Sequence, residues 1–289
     1  MNTRQLQLGD MQHIEMIRHR YNHNTSSHAF ETIYIWRDEL GLEVYDEDEL
    51  FAVKCNTRGN NTWFFPCGND DSVYEFIDKA DKDELRFCYM REEDTKFLND
   101  NFPGMFEIIE KDCDHEYLYS CVEWNELKGS AFAGIRNHIK RACRDNELRV
   151  ELIDGSNIGE VRNLIHRWKS ESIANGDESD NVAAAVLIDN YNALNAHGIA
   201  VYVNNILFAV VAGFPLSDEC FDMCLAKQSD RLSGLSVYAN YAFVKTLPKQ
   251  YAYFNAEEDL GVEGLRIMKQ QMKPIGQIKM FEGKFIRKD

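Results

Sequence analysis

Ile199-Ala-Val-Tyr-Val-Asn-Asn-Ile-Leu-Phe-Ala-Val-Val-Ala-Gly213, then Phe221-Asp-Met-Cys-Leu-Ala226 and Lys227-Gln-Ser-Asp-Arg-Leu-Ser-Gly-Leu-Ser236, is the stretch on which the fold turns. Residues 199–203 and 206–213 read as a hairpin about Asn204-Asn205, a pair suited to the positive φ angles of a type I′ turn. Residues 221–226 read as the next strand, and the polar loop 227–236 leads into a helix, 237–247, stopped before Pro248. A helix entered this way from a strand presents unpaired backbone N–H groups and the positive end of its dipole. Gly234 would let an anion approach the backbone, and Arg231 would add charge. The bland alternative for the same residues is Ser236 as an ordinary N-cap after a glycine turn.

Working outward, residues 251–255 read as a strand, 263–272 as a helix and 277–286 as a final extended segment. Upstream, Arg149-Val-Glu-Leu-Ile153 reads as a strand. It precedes two amphipathic helices, one carrying Val161, Leu164, Ile165 and Trp168, the other Val186, Leu187, Tyr191 and Leu194. The second half is therefore β-α-α-β-β-β-loop-α-β-α-β. The first half reads as a separate α/β layer. It has a helix through Met11, Ile14 and Ile17, strands at 50–56 and 62–66 joined by Arg58-Gly-Asn-Asn61, a helix at 71–80, a strand at 85–90 and a helix at 92–101. An extended segment at 115–120 and a helix at 130–144 form the junction. The expected domains are 1–145 and 146–289, with the boundary near Asp145.

Composition limits the function classes. Hydrophobic residues at 44% with only five prolines are globular values. No stretch approaches the ~20 apolar residues of a membrane span, and the chain opens with no apolar leader, so a cytoplasmic protein is expected. The eight cysteines lack a C-x-x-C pair and suit buried thiols. Cys220 and Cys224 fall on one strand, and no metal is expected there. A formal charge of −16 discourages non-specific binding to nucleic acid or anionic membrane. Two basic islands interrupt it. Lys128, Arg136, Lys140, Arg141, Arg144 and Arg149 stand against two acids for a net +4, and seven basic residues after Gly261 stand against three acids for another +4. They suit a confined polyanion site or, more plainly, solvated helix faces. No G-x-S-x-G and no Walker loop is present, which removes the commonest hydrolase and NTPase readings.

Candidate site residues gather at Phe254-Asn-Ala-Glu-Glu-Asp-Leu-Gly-Val-Glu-Gly-Leu-Arg-Ile-Met-Lys269. Asn255, at a strand end, would hydrogen-bond an acceptor. Glu257, Glu258 and Asp259 offer a general base if one is partly buried. Arg266 and Lys269 share a helical face and would hold an anionic group. Against this stands a structural account in which the acids complement a helix start and Arg266 pairs with Asp259. Lys128, Arg136, Asn137 and His138 would line a cleft between the halves.

The loop from Arg231 to Ser236 resembles the pyrophosphate loop of GNAT acyltransferases, R/Q-x-x-G-x-G/A, with Ser236 in the last small position. The element order is also that of a GNAT domain. The 254–269 segment, with Lys273-Pro274 after it, resembles the phosphatidylglycerol lysyltransferase C-terminal-like family (DUF2156). So do Glu116-Tyr-Leu-Tyr119, Leu127-Lys-Gly129, Arg136-Asn-His-Ile139, Phe30, Trp36, Pro66 and Gly68, and the likeness spans nearly the whole chain. It implies two tandem GNAT-like domains of mixed α/β sheet, the first degenerate, in a bacterial cytosolic protein. Membrane-bound members transfer an amino acid from aminoacyl-tRNA to a lipid headgroup. The resemblance therefore implies an acyl- or aminoacyl-transferase whose donor, acyl-CoA or the acceptor end of an aminoacyl-tRNA, sits against Arg231, Ser233, Gly234, Leu235 and Ser236. An amine or hydroxyl acceptor would lie near Asn255 to Asp259. The alternative from another class is a catalytically silent binding module on the same fold.

Overall fold

A computed structural model describes residues 1–144, 146–175, 180–229 and 232–286. One order of elements occurs twice along them. Its first copy is β1 (Arg4–Gln5), α1 (Met11–Arg20), α2 (Phe30–Trp36), β2 (Leu42–Glu47), β3 (Leu50–Cys55), β4 (Thr62–Phe64), a two-residue β5 (Cys67–Gly68), α3 (Asp70–Lys79), β6 (Arg86–Met90), α4 (Glu92–Asn101) and β7 (Phe106–Glu110). Then come β8 (Glu116–Ser120), α5 (Cys121–Glu126) and α6 (Ala133–Arg144). The second copy is β9 (Leu148–Leu152), α7 (Ile158–Asn175), α8 (Asn181–Asp189), β10 (His197–Val203), β11 (Ile206–Pro215), β12 (Cys220–Gln228), α9 (Leu235–Thr246), β13 (Tyr253–Asn255), α10 (Glu263–Gln271) and β14 (Gly276–Ile278), followed by β15 (Phe281–Phe285).

The sheets repeat the same arrangement. The first is ordered β1-β2-β3-β4-β6-β15-β7, with β5 on β3, and the second β9-β10-β11-β12-β13-β8-β14. Each contains a parallel pair at the same place, β4 with β6 and β12 with β13. In each, the strand beyond that pair comes from outside its own copy: β15 fills the place in the first sheet, β8 in the second. This is the GNAT topology built twice, with one strand of each copy exchanged. The contacts accordingly divide the chain at Glu116/Tyr117, not at the expected Asp145, which lies outside the described residues. The first unit is Met1–Glu116 with Glu258–Val262 and Gln277–Asp289; the second is Tyr117–Glu257 with Glu263–Gly276. The reason is sheet membership, since β8 hydrogen-bonds into the second sheet before the junction helix begins. The segment expected to be extended at 277–286 becomes two strands, in different sheets.

Local sequence explains the second unit well. Asn204 and Asn205 take φ of 50° and 67°, as the β10–β11 turn requires. β11 is buried along most of its length because α7 packs on it and so does α9, hence its run of Val, Ala and Phe instead of strict alternation. Beneath it Tyr119 stacks on Phe254 at 4.8 Å, Trp124 meets Phe254 edge-on at 5.6 Å, and the indole N–H donates to the Met272 carbonyl. The first unit has its own core, in which Trp63 meets Phe76 edge-on at 5.2 Å and Phe65 meets Phe87 at 5.5 Å. No helix among the described residues is long and apolar enough to cross a membrane.

Candidate functional site

In the second unit, β12 and β13 pair over three steps only, Cys220↔Tyr253, Phe221↔Phe254 and Asp222↔Asn255. β13 then ends while β12 continues to Gln228 along β11, so the sheet opens at Asp222 and Asn255. Both side chains are fully buried there. The opening is built into β11 by a register shift between Ala212 and Phe214. Gly213 sits at that bulge, where a Cβ would fall 1.8 Å from the Asp222 carbonyl oxygen, so the position admits only glycine. A buried acid beside an interrupted ladder is the kind of group that structure tolerates for a task. Asn255 has a local duty as well: its Oδ1 accepts the Glu257 N–H at 2.8 Å, bracing a residue held at φ 56°.

The loop leaving β12 reaches α9 at Gly234, the N-cap, with φ 86°. Arg231 lies outside the described residues. A Cβ on Gly234 would stand 2.1 Å from the carbonyl oxygen of His138, so α6 packs backbone-to-backbone on the start of α9. That contact carries Arg141 to the loop, where its Nη1 donates to Ser233 Oγ at 3.1 Å. Lys140, Arg141 and Arg144 are exposed along α6. Ser236 is exposed in the first turn of α9, whereas Leu235 is wholly buried and belongs to the core. The first turn of α9 has no acidic residue. Its counterpart α3 begins with Asp70 and Asp71 and is capped by Asn69, whose side chain accepts the Ser72 N–H. Acids that already complement a dipole repel a phosphate, so of the two corresponding helix starts only that of α9 favours an anion.

The other sequence candidates divide by role. Arg136 donates to the Leu127 and Gly129 carbonyls, the latter at 2.8 Å, and so closes the turn in which those residues take positive φ. Lys128 is exposed and paired with Glu126 at 3.0 Å, Asn137 is exposed, and His138 meets the site through its backbone. Lys269 is buried on α10. Its ammonium donates to the carbonyls of Ala256 and Glu257 and lies 5.6 Å from the Tyr117 ring centre, while Tyr119 Oη donates to the Lys269 carbonyl at 2.9 Å. Lys269 thus holds the segment just past β13 in place. Arg266 is half-buried on the same helix.

Asn255 and Glu257 belong to the second unit, Glu258 and Asp259 to the first. Asp259 is fully buried and accepts the Gly261 N–H at 2.9 Å, shaping a turn in which Leu260 and Gly261 both take positive φ. Within the first unit, burial and then the Glu258 charge push the Tyr89 phenol well above its usual range. Tyr89 lies one residue past the last β4–β6 pair, at φ 52°. Bulky buried residues rarely adopt that conformation. Arg58 Nη2 donates to its hydroxyl at 2.8 Å and Arg58 pairs with Asp114 at 3.5 Å. Asp222, Tyr89, Arg58 and Asp114 were not singled out from sequence, and Arg141 only as one member of the first basic island. Asp222 alone left a signal, as the one charge in the otherwise apolar stretch 221–226.

The family profile described as "Phosphatidylglycerol lysyltransferase, C-terminal" matches residues 18–281. No curated protein matches the chain. Among solved structures, a conserved protein of unknown function from Bacteroides thetaiotaomicron VPI-5482 is 24% identical, with a TM-score of 0.88 over 98% of this chain and 99% of that one. L-PGS from Bacillus licheniformis is 14% identical, with a TM-score of 0.65 over 96% of this chain and 92% of that one. FemX is 9% identical, with a TM-score of 0.60 over 99% and 98%. At these identities the likeness is one of fold.

Proposed function

The chain belongs to the phosphatidylglycerol lysyltransferase C-terminal family, and on that premise we propose that it transfers an aminoacyl group from a tRNA acceptor end to an amine or hydroxyl. The observation that carries this reading is the opened β12–β13 pair, with Asp222 and Asn255 buried at its mouth, in the same unit as an uncompensated helix start flanked by the basic face of α6. The donor's phosphates would follow Arg141 and the neighbouring Lys140 and Arg144, with Ser233, Gly234 and Ser236 at the start of α9. The exposed row along α6 suits an extended phosphate backbone. This favours aminoacyl-tRNA over acyl-CoA.

In the transfer, the acceptor's lone pair attacks the ester carbonyl carbon. The new acyl–N or acyl–O bond forms as the bond to the ribose oxygen breaks. The acceptor's proton leaves to a carboxylate, for which Glu257 is the second unit's candidate, and the carboxylic acid so formed returns that proton to the leaving ribose oxygen. Holding the two reactants in line supplies most of the acceleration.

Filter binding of radiolabelled aminoacyl-tRNA, beside isothermal titration of acetyl-CoA, tests the reading. Expected are binding of aminoacyl-tRNA that weakens with salt and is lost in Arg141→Glu with Arg144→Glu, and no response to acetyl-CoA. Binding of acetyl-CoA alone would replace the donor. Binding of aminoacyl-tRNA with no transfer to any amine or hydroxyl acceptor would make the protein a recognition module.

A further inference from the structure

Away from that site, the loop between β7 and β8 brings Glu110, Asp112 and His115 together, with one ligand atom of each within 4.8 Å of the others. The backbone enforces the grouping. Lys111 N–H donates to the Met280 carbonyl at 2.9 Å, and Asp114 N–H donates to the Lys111 carbonyl at 2.9 Å, closing a short 3-10 turn over Asp112–Asp114. Glu110 and Asp112 are exposed, but His115 is 6% exposed and its Nε2 is buried with no hydrogen-bond partner among the described residues. Glu110 Oε1 stands 3.6 Å from that nitrogen, beyond hydrogen-bond reach. A buried imidazole nitrogen aimed at a carboxylate across such a gap carries a desolvation penalty that a shared cation would remove.

We propose that Glu110, Asp112 and His115 bind a divalent transition-metal ion, with Zn²⁺ the best match. Ligand bonds of 2.0–2.2 Å to one tetrahedral zinc put two ligands about 3.4 Å apart, close to the separation of Glu110 and His115. One imidazole and two carboxylates suit zinc better than magnesium or calcium, which prefer all-oxygen cages. The exposed side leaves the remaining coordination positions to water. One cation is already at hand: Lys279 Nζ lies 2.9 Å from Glu110 Oε1. Half-exposed ion pairs contribute little, so a divalent ion displaces this lysine readily. Metal binding ties the loop into one piece. Because Asp114 in that loop holds Arg58, the ion stiffens the setting of Tyr89.

Isothermal titration of the full chain with Zn²⁺ and Co²⁺, with Mg²⁺ for comparison, tests the site. One saturable ion per chain is expected, accompanied by a rise in melting temperature and a visible Co²⁺ absorption band. His115→Gln lowers affinity at least about tenfold, the loss that even lesser changes around a metal produce. Asp112→Asn, at an exposed position that does not endanger folding, also lowers it. Lys279→Met tightens binding up to about fivefold by removing the competing ammonium. His166→Gln, next to Asp189 elsewhere on the surface, changes nothing. Absence of saturable binding at millimolar Zn²⁺, or an affinity unmoved by both His115→Gln and Asp112→Asn, overturns the proposal.

Discussion

Asp222 and Asn255 face each other at the last paired step of the parallel strands β12 and β13, and neither side chain has exposed surface. An acid and an amide so placed end a sheet from inside it. Replacing Asp222 by asparagine keeps the shape and removes the buried carboxyl, which separates structural from chemical duty. A urea titration of Asp222→Asn reads the structural part. Asp222→Asn is expected to slow loss of the labelled amino acid from aminoacyl-tRNA at least several-fold, through the changed polarity at the mouth of the β12–β13 opening. A variant that is unstable but fully active per folded molecule would confine Asp222 to the fold.

Gly234 serves two demands, a φ of 86° and contact with the His138 carbonyl. Gly234→Ala is expected to cost about 2–4 kcal/mol in denaturant unfolding, through left-handed strain and forced separation of α6 from α9. Gly134→Ala, where an added Cβ meets nothing within 4 Å, is the matched control and is expected to change little. Equal effects of the two would remove the packing argument.

Lys269 is a buried cation satisfied in part by the backbone carbonyls of Ala256 and Glu257. Lys269→Met fills the space but strips those carbonyls of a charged donor. The expected loss is about 1.5–3 kcal/mol. Faster amide exchange just past β13 is expected with it. Exchange that quickens evenly across the unit would show instead that the lysine supports the whole fold.

The first unit carries a pH signature. Glu15 pairs with Arg18 and accepts the Phe30 N–H at 2.9 Å; burial alone would raise it, yet these partners and His19 hold it at about 2. Glu31, buried close by, is raised to about 8 by burial first and the Glu15 charge second. Between the ordinary value of 4.5 and about 8 the folded chain keeps a proton that the unfolded chain has released. Its contribution to stability is therefore full below pH 4.5 and falls away as pH climbs to about 8. Glu31→Gln should abolish that decline, on the order of a few kcal/mol, when melting is followed from pH 5 to pH 8. A parallel decline in both proteins would assign it to other groups.

Much of this architecture was legible because it is local. The Asn204-Asn205 turn, the strand runs on either side of it and the loop into α9 are each written in consecutive residues. What stayed hidden depends on distant partners. Nothing near 115–120 announces that β8 joins the second sheet, so the junction helix drew the expected boundary toward Asp145. Asp222 reads as an outward-facing strand residue until its register with Asn255 is known. Arg136 reads as a ligand group because a guanidinium satisfied by two carbonyls of its own turn leaves no mark in spacing or charge.

The place of β15 between β6 and β7 sets the order in which the chain can mature on the ribosome. The first sheet is synthesised early but cannot close until nearly all of the second copy has been made. At ~5–20 residues per second that leaves the β6 and β7 edges open for on the order of ten to thirty seconds. Glu107 and Glu110 on β7 and Arg86 on β6 place charge along those edges, which discourages pairing with another nascent chain during the wait. The half that is born first is thus completed last.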